Sequence, residues 1–344
     1  MVNHLSSTVS LLYSDLMQKV VDSELSLLST QGSFVVKKIA GKRYWYHQSK
    51  QFSGQRNQVC IGPETPNLLD QIERTKELKQ DISEIIHERK RLVALLSVAG
   101  ASLEKGRAAK LIERMASVGL FRNGGMLVGS YAFSHYGNML GVSFESDLRR
   151  TEDMDFSMDR KIEIGMSRNL DLDIKDVDST FKFPLQINPS SPPFEMIVSD
   201  GFKVEFLTEK QQDVSDNTPV LIERFGVHAQ PLDYLDYLIE NVQSAVMLHG
   251  VGTLVKLPDP ARFAFHKLAV SQLRPAALKT KADKDLQQAL SLFEVLLEDS
   301  PGLLLLAAEA ITNRRDLFAQ FVLQGAKQLP DTIRGEIERM VPNS

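Results

Sequence analysis

The feature that most constrains this chain is a change of period at residue 129. In "GGMLVGSYAFSHYGNML", Met126, Leu127 and Val128 form an unbroken apolar run, the mark of a buried strand. From Ser130 onward the apolar residues follow helical spacing, with Gly129 and Ser130 at the junction. A strand that passes directly into a helix leaves the first helical N–H groups without intrahelical partners, and such a terminus favours an anion. Two readings are open here. Ser130 can be the N-cap of the helix. Alternatively, Gly129 lets a phosphate approach the backbone and Ser130 donates its hydroxyl to it.

Around this junction the 344 residues divide into four regions. Residues 1–65 begin with an amphipathic helix to about Leu28. They continue with "GSFVVKKIAGKRYWYHQSK" and "GQRNQVCIGP", short strands joined by glycine-containing turns in a small β-meander. Residues 66–115 contain a long amphipathic helix from Pro66 to Gly100, with Leu69, Ile72, Leu78, Ile82, Ile85, Ile86 and Leu92 at three- and four-residue steps. Residues 116–245 mix helices with strands expected in "GGMLVG", "DMDFSM", "FEMIVSD" and "FKVEFLTE". Residues 246–344 read as a helical domain punctuated by prolines and Asp or Ser caps. The expected fold class is therefore α+β: a small mixed-sheet core flanked by an N-terminal helix and meander and a C-terminal helical domain.

A net charge of −4 excludes bulk nucleic-acid binding, so such contact needs a local basic patch. The single cysteine, Cys60, excludes an intramolecular disulfide and a cysteine metal cluster, and fits a reducing cytoplasm. The N-terminus carries Asp15, Lys19, Asp22 and Glu24 at helical spacing and does not read as a signal peptide. The longest apolar run, near Leu303, is too short to span a bilayer. A cytoplasmic protein without a membrane partner is expected.

In "RTEDMDFSMD", Asp153 and Asp155 are two residues apart. On a strand both carboxylates point to one face, and Met154 and Phe156 point to the core. Two such carboxylates repel each other unless a divalent cation lies between them. A pair of surface acids is the plain alternative. Glu205 in "GFKVEFLTE" is the one charge in the run Val204–Leu207. It either faces water on an edge strand or, if its strand lies beside that of Asp153 and Asp155, adds a third carboxylate able to help hold two ions. A second pair, Asp171 and Asp173, reads as an acidic helix start that complements the helix dipole. None of the seven histidines has a metal-ligand spacing.

A strand ending in Gly129-Ser130, a helix, Asp153-Met154-Asp155-Phe156 and a later Glu205 in "KVEFL" together resemble the DNA polymerase β-like nucleotidyltransferase superfamily. Within it the chain looks most like bacterial "nucleotidyltransferase fold" proteins distantly related to AbiEii- and MenT-type toxins. "KIAGKRYWYHQ…VCIGP" and "LPDPARFAFHKLAVSQLR…KADKDLQQ" support this. There are two departures from the superfamily pattern. Twenty-three positions separate Ser130 from Asp153, with "GVSFESDLRRT" as an inserted loop over the site, and the third acid is Glu rather than Asp.

The resemblance implies metal-dependent transfer of a nucleoside monophosphate from an NTP to an acceptor hydroxyl. Asp153, Asp155 and Glu205 would be the catalytic, metal-holding residues for two Mg²⁺ or Mn²⁺ ions. Gly129 and Ser130 would bind the nucleotide phosphates. It further implies that the helix carrying Lys267 and Arg274 faces the cleft and steadies the triphosphate; otherwise Lys267 snorkels from a core helix. Lys279, Lys281 and Lys284 follow, and Asp285 is expected to pair with a nearby cation.

Lys42, Arg43, Tyr44 and Trp45 interleave basic and aromatic side chains in the meander. They are candidate nucleic-acid contacts, or a small sheet with one packed and one charged face. RNA with a tRNA-like end is the expected acceptor, and a cognate antitoxin or defence partner is possible by resemblance. Two alternatives stand beside this. One is a weak or inactive nucleotide- or nucleic-acid-binding protein of a defence or toxin–antitoxin system. The other is a nucleotidyltransferase that modifies protein.

Overall fold

The structure is a computed structural model that describes residues 2–29, 32–39, 41–50, 56–77, 82–149, 152–158, 170–184, 192–211 and 218–342. The chain begins with β1 (Asn3–His4) and α1 (Ser7–Ser29). A meander of β2 (Gly32–Ile39), β3 (Lys42–Lys50) and β4 (Arg56–Pro63) precedes α2 (Pro66–Glu77), α3 (Ile82–Val98) and α4 (Gly106–Ser117). The central stretch contains β5 (Gly125–Val128), α5 (Gly129–Leu140), β6 (Val142–Ser143), α6 (Ser146–Arg149), β7 (Asp153–Met158), α7 (Leu170–Val177), β8 (Glu195–Ile197) and β9 (Lys203–Glu209). It ends with β10 (Val220–Ile222), β11 (Val227–Leu232), α8 (Leu235–Ile239), β12 (Val242–Met247) and β13 (Thr253–Pro258). Five helices complete the chain: α9 (Pro260–Leu273), α10 (Lys279–Asp299), α11 (Pro301–Thr312), α12 (Phe318–Ala326) and α13 (Asp331–Met340).

The fold is α+β. Its central sheet is mixed, in the order β10-β11-β9-β7-β5. β5 runs antiparallel to β7, while β7, β9 and β11 are mutually parallel. β8 and β11 share the edge of β9 that faces away from β7: β8 lies along Lys203–Glu205 and β11 along Leu207–Glu209. Strand alternation decides which side chains are buried. Met154, Phe156, Val204 and Phe206 are fully or almost fully buried, and the rings of Phe156 and Phe206 stack 6.2 Å apart. Asp153, Asp155, Lys203 and Glu205 alternate with them and so take the opposite face.

The helices are stapled to this sheet by specific contacts. Tyr13 on α1 accepts a hydrogen bond from the Val246 amide at 2.8 Å and packs with Leu92 and Leu96 of α3. Asp259 caps α9 by accepting from the Ala261 and Arg262 amides, and Pro260 occupies the first helical turn, where no N–H is needed. α9 is buried on most of its surface, packed by α10, α11 and α12.

The structure adds to these readings and corrects some of them. The segment 66–100, expected as one helix, is helical over Pro66–Glu77 and Ile82–Val98, and residues 78–81 between them lie outside the described residues. β10 to β13 and the β1–β6 ladder were not read from sequence: β10–β11 and β12–β13 are local hairpins, whereas β1 and β6 are two-residue strands paired about 140 positions apart. A boundary between 245 and 246 falls inside β12, whose six register pairs with β13 make one hairpin. Finally, the described residues of the segment after α5, up to Arg149, do not form a loop over the cleft. β6 pairs with β1, Phe144 is buried 4.6 Å from Phe133, and the Leu148 carbonyl is held by Gln288.

Candidate active site

A cavity of about 600 Å³ opens between the central sheet and helices α9 and α10. It brings together Gly129, Ser130, Asp153, Asp155, Glu205, Lys267 and Arg274, residues scattered over more than 140 positions of sequence. Described residues of the segment from Gly137 to Arg149 do not line it, and neither do described residues of the meander.

The acidic wall is set by strand register. Val128, Asp155, Glu205 and Glu195 lie at one level across β5, β7, β9 and β8. One step along the same face, Asp153 is opposite Lys203. Cross-strand neighbours at one level share a face at roughly 5 Å. Three carboxylates therefore form a row, with Asp153 beside them. Burial, then the charges of Glu205 and Asp153, push the Asp155 carboxyl up to about 7. Burial, then the hydrogen bond to Glu205, raises the Glu195 carboxyl.

Two lysines offset this negative charge. Lys203 Nζ contacts Glu205 directly and lies 3.5 Å from Glu195 Oε2 and 3.7 Å from Asp153 Oδ1. Lys281 Nζ of α10 lies 2.6 Å from Asp153 Oδ2. Burial opposes the Lys203 charge, but the hydrogen bond to Glu205 and the surrounding acids outweigh it and raise its pKa. Among the described residues, no group of three His, Cys, Asp or Glu side chains is arranged to hold a metal ion as it stands. The donor set is nevertheless all carboxylate, the hard-oxygen chemistry that suits Mg²⁺ or Mn²⁺. Asp155 and Glu205 stand in register, and the burial and acid crowding that disfavour the Asp155 charge are what a divalent ion would relieve.

At the junction of β5 and α5, Gly129 has a φ of +63°, a left-handed conformation that costs other residues free energy. A Cβ there would collide with the Asp155 carboxylate. Ser130 is not an N-cap: Val128 holds that position, and no side chain caps the helix. Instead Ser130 Oγ accepts a 3.3 Å bond from Gln288 Nε2 of α10, which also donates to the Leu148 carbonyl at 2.8 Å.

The opposite wall is cationic. Lys267 and Arg274 both clasp Asp285, which is almost fully buried. Burial works to raise the Asp285 pKa, but the two cations outweigh it and hold the carboxyl below its ordinary range. Next to Lys267, burial and then the lysine charge depress His266 to about 3, so it is neutral. Lys281 and Lys284 continue this wall. An apolar stretch that includes Leu232, Leu235, Val270 and Leu273 completes the cavity.

The meander lies elsewhere. Lys42 and Arg43 are exposed, with Arg43 Nε 3.1 Å from Glu64. Tyr44 is buried with Tyr46 and Cys60, and Trp45 is half-buried and donates to Glu64 at 2.9 Å. The tyrosine ring at 44 thus serves the core of the small sheet and is not displayed as a stacking platform. The second acid pair starts α7, where Arg114 binds Asp173 at 2.8 Å, away from the cavity.

Sequence reasoning missed Lys203, Glu195 and Gln288. Lys203 carried a signal, since it precedes Glu205 by two on an alternating strand and must share its face. Glu195 and Gln288 carried none, because their roles depend on register and on helix docking.

The chain matches the family described as Nucleotidyltransferase over residues 107–312, more than half of its length. The match runs from α4 to the end of α11 and contains every residue of the acidic and cationic walls. A crystal structure of an antigenic nucleotidyltransferase-like protein from Paracoccidioides brasiliensis is similar at 15% identity. That similarity covers 63% of this chain and 91% of the other, with a TM-score of 0.31. No curated protein matches.

Proposed function

The chain belongs to this nucleotidyltransferase family, and on that premise we propose that it moves a nucleoside monophosphate from an NTP to an acceptor hydroxyl with the help of divalent cations. One observation carries the reading: Asp155 and Glu205 stand in register beside Gly129, across one cavity from Lys267 and Arg274. Acids for a metal and cations for a polyphosphate face each other over a space of nucleotide size.

Asp153, Asp155 and Glu205 would hold two Mg²⁺ or Mn²⁺ ions. Bound there, the ions would neutralise phosphate charge and ease ionisation of the acceptor hydroxyl. Glu205 takes the proton of that hydroxyl. The acceptor oxygen bonds to the α-phosphorus as the bond to the pyrophosphate oxygen breaks. The uncapped start of α5 at Gly129 and the Ser130 hydroxyl donate to the β- and γ-phosphates. Lys267 and Arg274, aimed by Asp285, stabilise charge on the leaving pyrophosphate. Positioning and charge neutralisation supply the rate enhancement.

An RNA end is the acceptor we favour, supported by exposed Lys42 and Arg43 on the meander. The test is transfer of label from each α-³²P NTP, with Mg²⁺ or Mn²⁺, to tRNA, other RNA and protein. Asp153→Ala/Asp155→Ala serves as the control. Metal-dependent labelling that the double variant abolishes is expected. Its absence for every acceptor counts against the enzyme.

A second reading has an observation of its own. Ammonium groups of Lys203 and Lys281 already occupy the carboxylates, as in a protein that binds nucleotide without turnover, for example within a toxin–antitoxin or defence pair. NTP-dependent thermal stabilisation without any label transfer would favour it.

A further inference from the structure

We propose that Lys203 is the resident counter-cation of the acidic row: it holds Asp153, Glu195 and Glu205 together while no divalent ion is bound, and a divalent ion binds by displacing it. The inference rests on the metal-dependent reading of the cavity given above.

The position of Lys203 follows from backbone register. It precedes Glu205 by two on β9 and so shares its face. Its level on β7 is Asp153, and β8 places Glu195 beside Glu205. The ammonium consequently meets acids from three strands: Glu205 in direct contact, Glu195 at 3.5 Å and Asp153 at 3.7 Å. An ammonium has three N–H donors, which matches three carboxylates. An exposed surface lysine commonly pairs with one acid for little gain, whereas Lys203 is largely shielded, with its side chain 26% exposed.

The chemistry makes lysine and metal alternatives. Asp153, Asp155, Glu195 and Glu205 crowd one partly desolvated wall and repel one another. Some cation is needed there. A divalent ion takes the same carboxylate lone pairs that the ammonium now uses, and two cations at one set of oxygens repel. Lys281 differs in origin: it reaches Asp153 from α10 with its side chain 49% exposed, so it can withdraw into solvent. Lys203 is held at the first residue of β9, paired on both sides by Asp153 and Ile197, and its side chain has to swing away, which lowers the apparent metal affinity and leaves the sheet compensated when metal is absent.

The test uses the full chain as wild type, Lys203→Met and Lys203→Arg, with Mn²⁺ binding followed by calorimetry and unfolding followed by heat in EDTA. Lys203→Met should bind Mn²⁺ about tenfold more tightly, equivalent to about 1.4 kcal/mol. Its metal-free melting temperature should fall by about 2–4 °C and recover with Mn²⁺. Lys203→Arg, which keeps the charge, should bind no more tightly than wild type. If Lys203→Met does not fold, Lys203→Gln carries the same comparison. A folded neutral variant with wild-type or weaker Mn²⁺ affinity overturns the role of Lys203 alone. No Mn²⁺ binding to any of these proteins overturns the metal-dependent reading with it. Tighter binding that survives added Asp155→Asn places the ion elsewhere and also overturns the proposal.

Discussion

Gly129 and Asp155 are packed so closely that a Cβ on residue 129 would fall on the Asp155 carboxylate. The glycine therefore answers two demands at once: a φ of +63° at the strand-to-helix turn, and room for the acid on the neighbouring strand. Gly129→Ala should cost about 1–3 kcal/mol in urea unfolding, the range for a strained left-handed residue. It should also abolish label transfer, because Asp155 has to move. A folded Gly129→Ala protein of wild-type stability would refute the packing argument.

Asp155 sets a pH dependence. Its carboxyl stands at about 7 in the folded chain against 3.8 ordinarily, through burial first and then Glu205 and Asp153. Between those values the folded state binds more protons than the unfolded state, so stability falls as pH rises from about 4 to about 7 and stays reduced above that. Asp155→Asn removes the penalty. In EDTA its melting temperature should exceed that of wild type by more at pH 8 than at pH 5. An equal difference at both pH values would contradict the assignment.

Asp285 is the counterpart on the cationic wall. Its removal leaves Lys267 buried beside Arg274 with no anion between them. Asp285→Asn should destabilise by about 3–5 kcal/mol, as for a broken buried ion pair. The Asp285 carboxyl is held below its ordinary range, so this contribution is complete above that range and is lost only as pH falls through the lowered folded value. Adding Lys267→Met should recover part of the loss, because an apolar side chain needs no counter-ion. Urea midpoints for both proteins at neutral pH check this.

Gln288 ties α10 to the phosphate-side turn. Its Nε2 donates to Ser130 Oγ, which keeps the serine's own O–H available as a donor, while the buried Oε1 of Gln288 has no partner among the described residues. Gln288→Met removes that unsatisfied acceptor but also the donor to the Leu148 carbonyl, so the two partly offset and destabilisation should stay within about 1–2 kcal/mol. The KM for NTP should rise about fivefold, the effect of one lost hydrogen bond, with kcat altered less. An unchanged KM in steady-state assays would show that Ser130 needs no such support.

How much of this was legible differs from residue to residue. The strand, turn and helix of Met126–Leu140 could be read because hydrophobic period is a local property. So could the alternation that sets Asp153 and Asp155 against Met154 and Phe156, and Glu205 against Val204 and Phe206. The C-terminal helices announced themselves through Asp259, Pro260, Pro301 and Pro330. The basic and aromatic run at 42–45 was legible as a meander but not by side: burial of Tyr44 against Cys60 depends on strand pairing within the small sheet.

By itself, then, the sequence determined which residues share a strand face and where helices start, since both follow from backbone geometry over a few residues. Only the tertiary structure decided that Asp155, Glu205 and Glu195 stand at one level, that Lys203 joins them, and that Gln288 reaches Ser130 across 158 positions. Register and docking are set by packing of the whole core, with Phe156 stacked on Phe206 behind the acids. No local period encodes a contact whose energy comes from burial shared among distant segments.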